Sequence, residues 1–161
     1  MGLEVCAALK NAYTLGVGLV GGLLERAGGV DGAGAHAHNL AAAVFGQGCT
    51  EMARVLQIVG GTPAFACGLP GAGDLYVTCQ GGRTVRLGRL LGLGHSLAEA
   101  KEKMAGETLE AAEIVRTMGK ALGPLTARGV IGPEELPLLR VLVDVVVHGR
   151  SVEPGLETMF K

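Results

Sequence analysis

The sequence predicts an all-α chain, on three observations. Apolar residues recur at three- and four-residue spacing through most of its length. Helix-start signals stand ahead of the apolar runs, the clearest being Ser96-Leu-Ala-Glu99. The one β-prone run, Val141–Val147, lies between a proline that opens a helix and a glycine that closes one.

The elements follow in order. Residues 3–27 carry Cys6, Leu9, Tyr13, Val17, Val20 and Leu24 on one stripe, with four glycines that call for close packing. Gly28 to Gly34 is a break, and residues 37–59 form a second helix with Ala41, Val44, Gly48, Met52, Val55 and Val59 inward. Both helices are apolar on most sides, which places them at the centre of a bundle. Gly60-Gly61-Thr62-Pro63 ends the second helix, with Thr62 able to cap a short turn. Residues 64–73 read as loop or one helical turn, and Asp74–Cys79 as helix. Arg83–Leu91 is a short basic helix with Arg83, Arg86 and Arg89 at three-residue spacing. Ser96 and Glu99 form a capping box for a helix to about Met104. Residues 108–122 form the next, and Pro133 opens another, with Leu136, Leu139, Val143 and Val146 as its stripe. Arg140 and Asp144 are expected to pair on its outer side. Gly149 stops it, and Ser151 caps a last helix through Phe160.

At 161 residues the chain is one domain, 1–161, long enough to bury a core. The formal net charge of -1 gives no reason to expect nucleic acid or an anionic membrane. Residues 1–80 hold three basic and five acidic residues, against eleven and ten in residues 81–161. The first half therefore reads as the buried part and the second as a solvated jacket. The 28 glycines exceed twice the usual share of about 7% without a collagen period, so small-residue helix contacts are expected. Cys6, Cys49, Cys67 and Cys79 make no zinc spacing and read as reduced, buried thiols of a cytoplasmic protein. His36-Ala-His38 has no carboxylate or thiol near it in sequence, and no metal is assigned. Asn11–Leu24 is uncharged but shorter than the roughly 20 residues a membrane span needs. Glu4 argues against a signal peptide.

Two stretches stand apart from this helical background. In Gly68–Thr84, three glycines lead to Asp74 and two more to Arg83. Bare backbone lets amides approach an anion, and an arginine fork suits a phosphate. The plainer reading is a Gly-rich helix entry with Asp74 as its N-cap. The second stretch is Lys10-Asn11. On a helix, Lys10 has Cys6, Ala7, Tyr13 and Thr14 three and four residues away, none acidic. Partial burial would lower its pKa and make it a proton donor and acceptor near neutral pH. Otherwise it is a lysine snorkelling at a helix edge.

Taken together, these motifs fall into a known order. Leu9-Lys10-Asn11, Thr50-Glu51-Met52-Ala53-Arg54, Gly71-Ala-Gly-Asp74-Leu75, Thr78-Cys79 and Gly81-Gly82-Arg83 resemble the C-terminal domain of NAD-dependent glycerol-3-phosphate dehydrogenase. The likeness runs from Leu3 to about Gly155. It implies an all-helical bundle of the type seen in the C-terminal domain of 6-phosphogluconate dehydrogenase. It also implies hydride exchange between NAD or NADP and the pair dihydroxyacetone phosphate and sn-glycerol 3-phosphate. By resemblance, Lys10 transfers the proton at the substrate C2 oxygen. Asn11, Asp74 and Thr78 surround the substrate, Gly82 and Thr84 are further substrate-binding positions, and Arg83 contacts the substrate phosphate. Arg83 also approaches the cofactor phosphates, and Glu110 reaches the cofactor. The implied partners are a phosphate substrate, a second copy of the chain and the Rossmann domain of the same enzyme.

Departures from the family are visible. Thr84 stands where the family has Asn, His38-Asn39-Leu40-Ala41 loses a lysine, Gln47 replaces a basic residue, and the stretch from Leu122 to Pro137 is longer than usual. No Gly-x-Gly-x-x-Gly follows a strand, so the Rossmann domain lies outside residues 1–161. A fragment of a two-domain enzyme, inactive alone, is the favoured reading over a separately encoded half. Two alternatives stay open: a dehydrogenase of a related hydroxyacid or polyol phosphate, and a non-catalytic helical dimerisation or binding module.

Overall fold

Helix α1 (Gly2–Arg26) is the axis of the molecule. It packs against α2 (Gly34–Ile58), α3 (Asp74–Cys79), α4 (Arg83–Gly92), α6 (Glu110–Ala127) and α7 (Pro137–Val146), while α5 (Leu97–Lys103) leans on α4. The computed structural model describes residues 2–28, 34–153 and 156, and every regular element among them is helical, as the spacing predicts. By length and composition α1 could cross a membrane, but 56% of its most apolar window is buried inside the fold. It is the core helix of the bundle, longer than the uncharged Asn11–Leu24 stretch indicates.

Small residues set how close α1 and α4 come. A Cβ added to Gly88 would sit 2.2 Å from the Leu15 carbonyl oxygen, and one on Gly92 2.2 Å from that of Leu19. From the other side, a Cβ on Gly22 would sit 2.1 Å from the Arg89 carbonyl oxygen. The two backbones touch, so no side chain fits between them. Gly88 meets α1 near residues 15–18 and Gly92 meets it near 19–22, so the helices run in the same direction. Continued one turn back, this register brings the start of α4 alongside the Asn11–Thr14 turn of α1.

A buried carboxylate builds the opposite side of the core. Leu136 takes a left-handed conformation (φ 59°) just ahead of Pro137 and offers α7 no side-chain cap. The missing acceptor comes from α2. Glu51, only 2% exposed, accepts the Leu138 amide at 2.6 Å and the Leu139 amide at 3.0 Å. Gln47 donates to the same carboxylate at 3.0 Å. Arg54, one turn on, binds Glu135 at 2.7 Å and the Val130 carbonyl at 2.9 Å, which fastens the α6–α7 connection to α2.

Several expectations need correction. Pro137, not Pro133, opens α7, because the chain turns at Leu136 first. Asp144 pairs with Arg150, while Arg140 turns back to the Glu135 and Gly132 carbonyls. Helix α6 continues past Leu122 and through Pro124 to Ala127, with the Thr126 hydroxyl tied to the Leu122 carbonyl. The division into buried first half and solvated second half fails at α7, where seven of ten residues are buried. Of the four thiols expected to be buried only Cys6 is; Cys49 and Cys79 are half-buried and Cys67 is exposed, and all four are free. Residues 64–73 hold a 3-10 turn (Pro63–Ala66) and a π turn (Leu69–Gly73), and Thr62 makes no side-chain cap. Asp74 is the first residue of α3 rather than its cap, which is Gly73. The capping box at Ser96 and Glu99 is present in both directions. The side chains of His36 and His38, and most of the helix expected after Ser151, lie outside the described residues.

Candidate functional site

Lys10 and Asp74 meet across 64 positions of sequence. The Lys10 ammonium donates to Asp74 Oδ2 at 2.5 Å, with the two side chains 21% and 40% exposed. Each residue is placed by packing. Lys10 lies between Leu9, which faces the core, and half-buried Asn11. Asp74 opens α3 directly after the π turn, where Gly71 lies against the Ala66 backbone too closely to admit a Cβ. A second tie between the same helices is Cys79 Sγ to Thr14 Oγ1 at 3.8 Å. Burial pushes the Cys79 thiol up, so it stays protonated and acts as a donor. The Thr78 hydroxyl donates to the Asp74 carbonyl at 2.7 Å and keeps lone pairs for a further donor.

Arg83 opens the next helix along the chain, α4. Gly82 turns the chain into α4 with φ 99°, a conformation that favours glycine, and Arg83 is the first helical residue. Its guanidinium donates to Glu110 Oε1 at 2.9 Å, both side chains being largely exposed. Thr84, next along, is half-buried. The register of α1 on α4 brings this helix start next to the turn that follows Lys10. The structure thus makes two ion pairs from the expected residues, Lys10–Asp74 and Arg83–Glu110. Asn11, Thr78, Gly82 and Thr84 lie on the segments that carry them.

The surroundings are apolar and open. Leu69, Tyr76 and Val77, on the turns and helix that flank Asp74, are 83%, 60% and 68% exposed. A cleft of about 620 Å³ lies beside Glu110, lined by Met104, Gly106, Leu109 and Ile114 among others. Another, of about 600 Å³, lies at the far end of the bundle between the ends of α1, α4 and α7. Among the described residues no group of three His, Cys, Asp or Glu side chains could hold a metal ion.

Sequence reasoning placed Glu51 and Arg54 in a motif without giving them work. Their roles are structural, and the signal was available: a carboxylate and a guanidinium one turn apart on an otherwise apolar helix need partners. Gln47, read only as a lost basic residue, serves the same network.

Comparison with known proteins gives one answer. Residues 1–157 match the family described as NAD-dependent glycerol-3-phosphate dehydrogenase C-terminus. A glycerol-3-phosphate dehydrogenase (NAD(P)+) of Bacillus cereus strain AH187 is 37% identical over 161 residues, which is 99% of this chain and 42% of that protein. The corresponding protein of Bacillus thuringiensis strain Al Hakam matches to the same extent. The crystal structure of glycerol-3-phosphate dehydrogenase from Coxiella burnetii superposes with a TM-score of 0.78 at 25% identity, over 99% of this chain and 44% of that one. A glycerol-3-phosphate dehydrogenase from Saccharomyces cerevisiae gives a TM-score of 0.77 at 25% identity, over 99% and 42%. The chain therefore spans less than half the length of the relatives it matches.

Proposed function

This chain belongs to the NAD-dependent glycerol-3-phosphate dehydrogenase C-terminus family, and from that premise we propose that it is the substrate domain of an enzyme that reduces dihydroxyacetone phosphate to sn-glycerol 3-phosphate. The observation that carries the reading is the Lys10–Asp74 pair, joined through α3 and the Gly82 turn to Arg83. Lys10 gives its proton to the C2 oxygen as the carbonyl becomes an alcohol, and takes it back in the reverse direction. Asp74 holds the ammonium in place, and its second oxygen is a ready acceptor for a substrate hydroxyl. Asn11 and Thr78 offer short polar groups next to that pair. Arg83, an exposed guanidinium already engaged with an anionic side chain, is a donor suited to a phosphate, with Gly82 and Thr84 beside it.

The same Arg83 chemistry fits a cofactor phosphate, and the family resemblance assigns its partner Glu110, at the start of α6, to the cofactor. NAD or NADP, held mainly by a separate Rossmann domain, would supply hydride chemistry when bound. The exposed Leu69, Tyr76 and Val77 provide an apolar rim on which such a domain would close. We read the isolated chain as inactive, cytoplasmic and self-associating, most simply as a homodimer. Sedimentation at micromolar concentration that finds only monomer overturns the last point.

Titration of glycerol 3-phosphate into this chain and into Arg83→Ala tests the reading. Binding weakened about tenfold or more in the variant is expected, from the strength of charge-assisted pairs. Equal affinity in both chains overturns the phosphate role of Arg83.

A further inference from the structure

We propose that Cys67 and Cys49 form an oxidisable thiol pair, a modification site for peroxide on the segment that leads into Asp74. Helix register places the two thiols. Gly48 of α2 faces Tyr13 of α1, since a Cβ there would lie 3.0 Å from Tyr13 Cβ, and Gly16 faces Val44 at 3.3 Å, so α1 and α2 run antiparallel. Thr14 and Cys49 each follow a facing residue, and in an antiparallel pair that turns both to the same side of the seam. Helix α3 lies on that side, where Thr14 meets Cys79 at 3.8 Å and Lys10 meets Asp74 at 2.5 Å. The 3-10 turn that ends at Ala66 packs on α1 and α2 and delivers Cys67. The Cys49 thiol is pushed up first by burial and then by the Cys67 and Cys79 thiols, so both lie within its electrostatic reach. Of the three, Cys67 is the exposed one.

The exposed thiol meets an oxidant first. In its thiolate form the Cys67 sulfur attacks one oxygen of hydrogen peroxide, the O–O bond breaks, hydroxide leaves and a sulfenic acid forms. The Cys49 sulfur then attacks the Cys67 sulfur, the S–O bond breaks, and the leaving hydroxide takes the Cys49 proton to become water. Two thiols and one peroxide thus give a disulfide and two waters, with two electrons passing from sulfur to peroxide oxygen. A thiol pushed up by burial is a slow nucleophile, but the second step is intramolecular, at an effective concentration on the order of millimolar or higher. Closing the bond draws Cys67 toward α2. A Cβ on Gly71 would lie 2.2 Å from the Ala66 carbonyl oxygen, so the backbone beside Cys67 cannot shift without moving the π turn that sets Asp74. Oxidation therefore loosens the Lys10–Asp74 pair.

The test treats the whole chain with hydrogen peroxide and reads intact mass and a peptide map. The parent chain should lose the mass of two hydrogens, regain it with dithiothreitol, and yield one peptide joining Cys49 to Cys67. Cys49→Ser should stop at a sulfenic acid on Cys67 that dimedone traps, Cys67→Ser should give neither product, and Cys6→Ser, altered at a buried thiol, should react like the parent. Sulfinic acid building up on Cys67 of the parent, a Cys67 bridge between two copies, or a Cys49–Cys79 link overturns the proposal. The effect on Asp74 is read by titrating glycerol 3-phosphate into the reduced and oxidised chains, and this part rests on the substrate reading above. Weaker binding by the oxidised chain is expected, and equal binding overturns the coupling to Asp74. If the reduced chain does not bind at all, the substrate reading falls, while the mass and the peptide map still decide the thiol pair.

Discussion

Two carboxylates, Glu51 and Asp74, do opposite work in this bundle. Glu51 is 2% exposed and accepts three hydrogen bonds, two from the first turn of α7 and one from Gln47. Asp74 has a side chain 40% exposed and one side-chain partner, the Lys10 ammonium. At Glu51 the acceptor capacity is consumed by the fold, so no substrate group can enter. At Asp74 an oxygen is left over, the partner is an ammonium, and solvent reaches both. Satisfied polar groups in a dry core hold structure; underused ones at a half-open surface are where chemistry can happen.

Breaking the dry end should cost most. Glu51→Ala orphans two helix-start amides and strands Gln47, and about 3 kcal/mol of unfolding free energy should be lost. Urea denaturation of this variant beside the parent chain measures it. A loss below 1 kcal/mol would mean that α7 finds another cap. Gly88→Ala comes next, at about 2 kcal/mol, because its Cβ meets backbone that cannot rotate away. It also sharpens the comparison, since α4 must lift from α1 and carry Arg83 with it. The stability loss should therefore come with weaker glycerol 3-phosphate binding, whereas Glu51→Ala, still folded at low temperature, should bind it nearly as well.

How much of this was legible in the sequence differs between the two ends. The helices were, because apolar spacing over 25 residues survives many glycines, and Ser96-Leu-Ala-Glu99 is a local signal that needs no tertiary help. The residues of the candidate site were also named in advance, through order and resemblance rather than geometry. What the sequence could not show were the partnerships across long separations. Lys10 had no acid within one turn and found one 64 residues away. Arg140 and Asp144 had the right spacing and did not pair, because Glu135 and Gly132 carbonyls and Arg150 lay closer. Pro133 looked like a helix start, yet Leu136 in its left-handed conformation moved the start to Pro137. Both of these last misses lie in the turns that flank α7, where partners five to eight residues away and one left-handed residue override the helix-spacing rule.

At the wet end the structural cost should be small. Asp74→Asn keeps the shape and loses one half-exposed ion pair, so stability should fall by less than about 1 kcal/mol. Turnover in the presence of the cofactor domain should drop far more than that. A thermal melt paired with an activity assay reads both. A large loss of stability there would make Asp74 a second Glu51.

The smallest expected effect is in pH dependence, and its sign separates two carboxylates of the structural network itself. Burial raises the pKa of Glu51 above 4.5 in the folded chain, so the folded state holds that proton more tightly than the unfolded one. Its contribution is full below 4.5 and is lost as pH rises through the raised folded value. Glu135 is the reverse: the hydrogen bond from Arg54, then that from the Gly132 amide, lower its pKa below 4.5. Its contribution is present above 4.5 and is lost as pH falls through the lowered folded value. Stability measured from pH 3 to 7 on the parent chain, Glu51→Gln and Glu135→Gln gives two difference curves. The first should slope downward with pH above about 4.5, and the second upward with pH below it. Curves that slope the same way would mean that Glu51 is charged at little cost in the core, and that its hydrogen-bond partners rather than its burial set how it titrates.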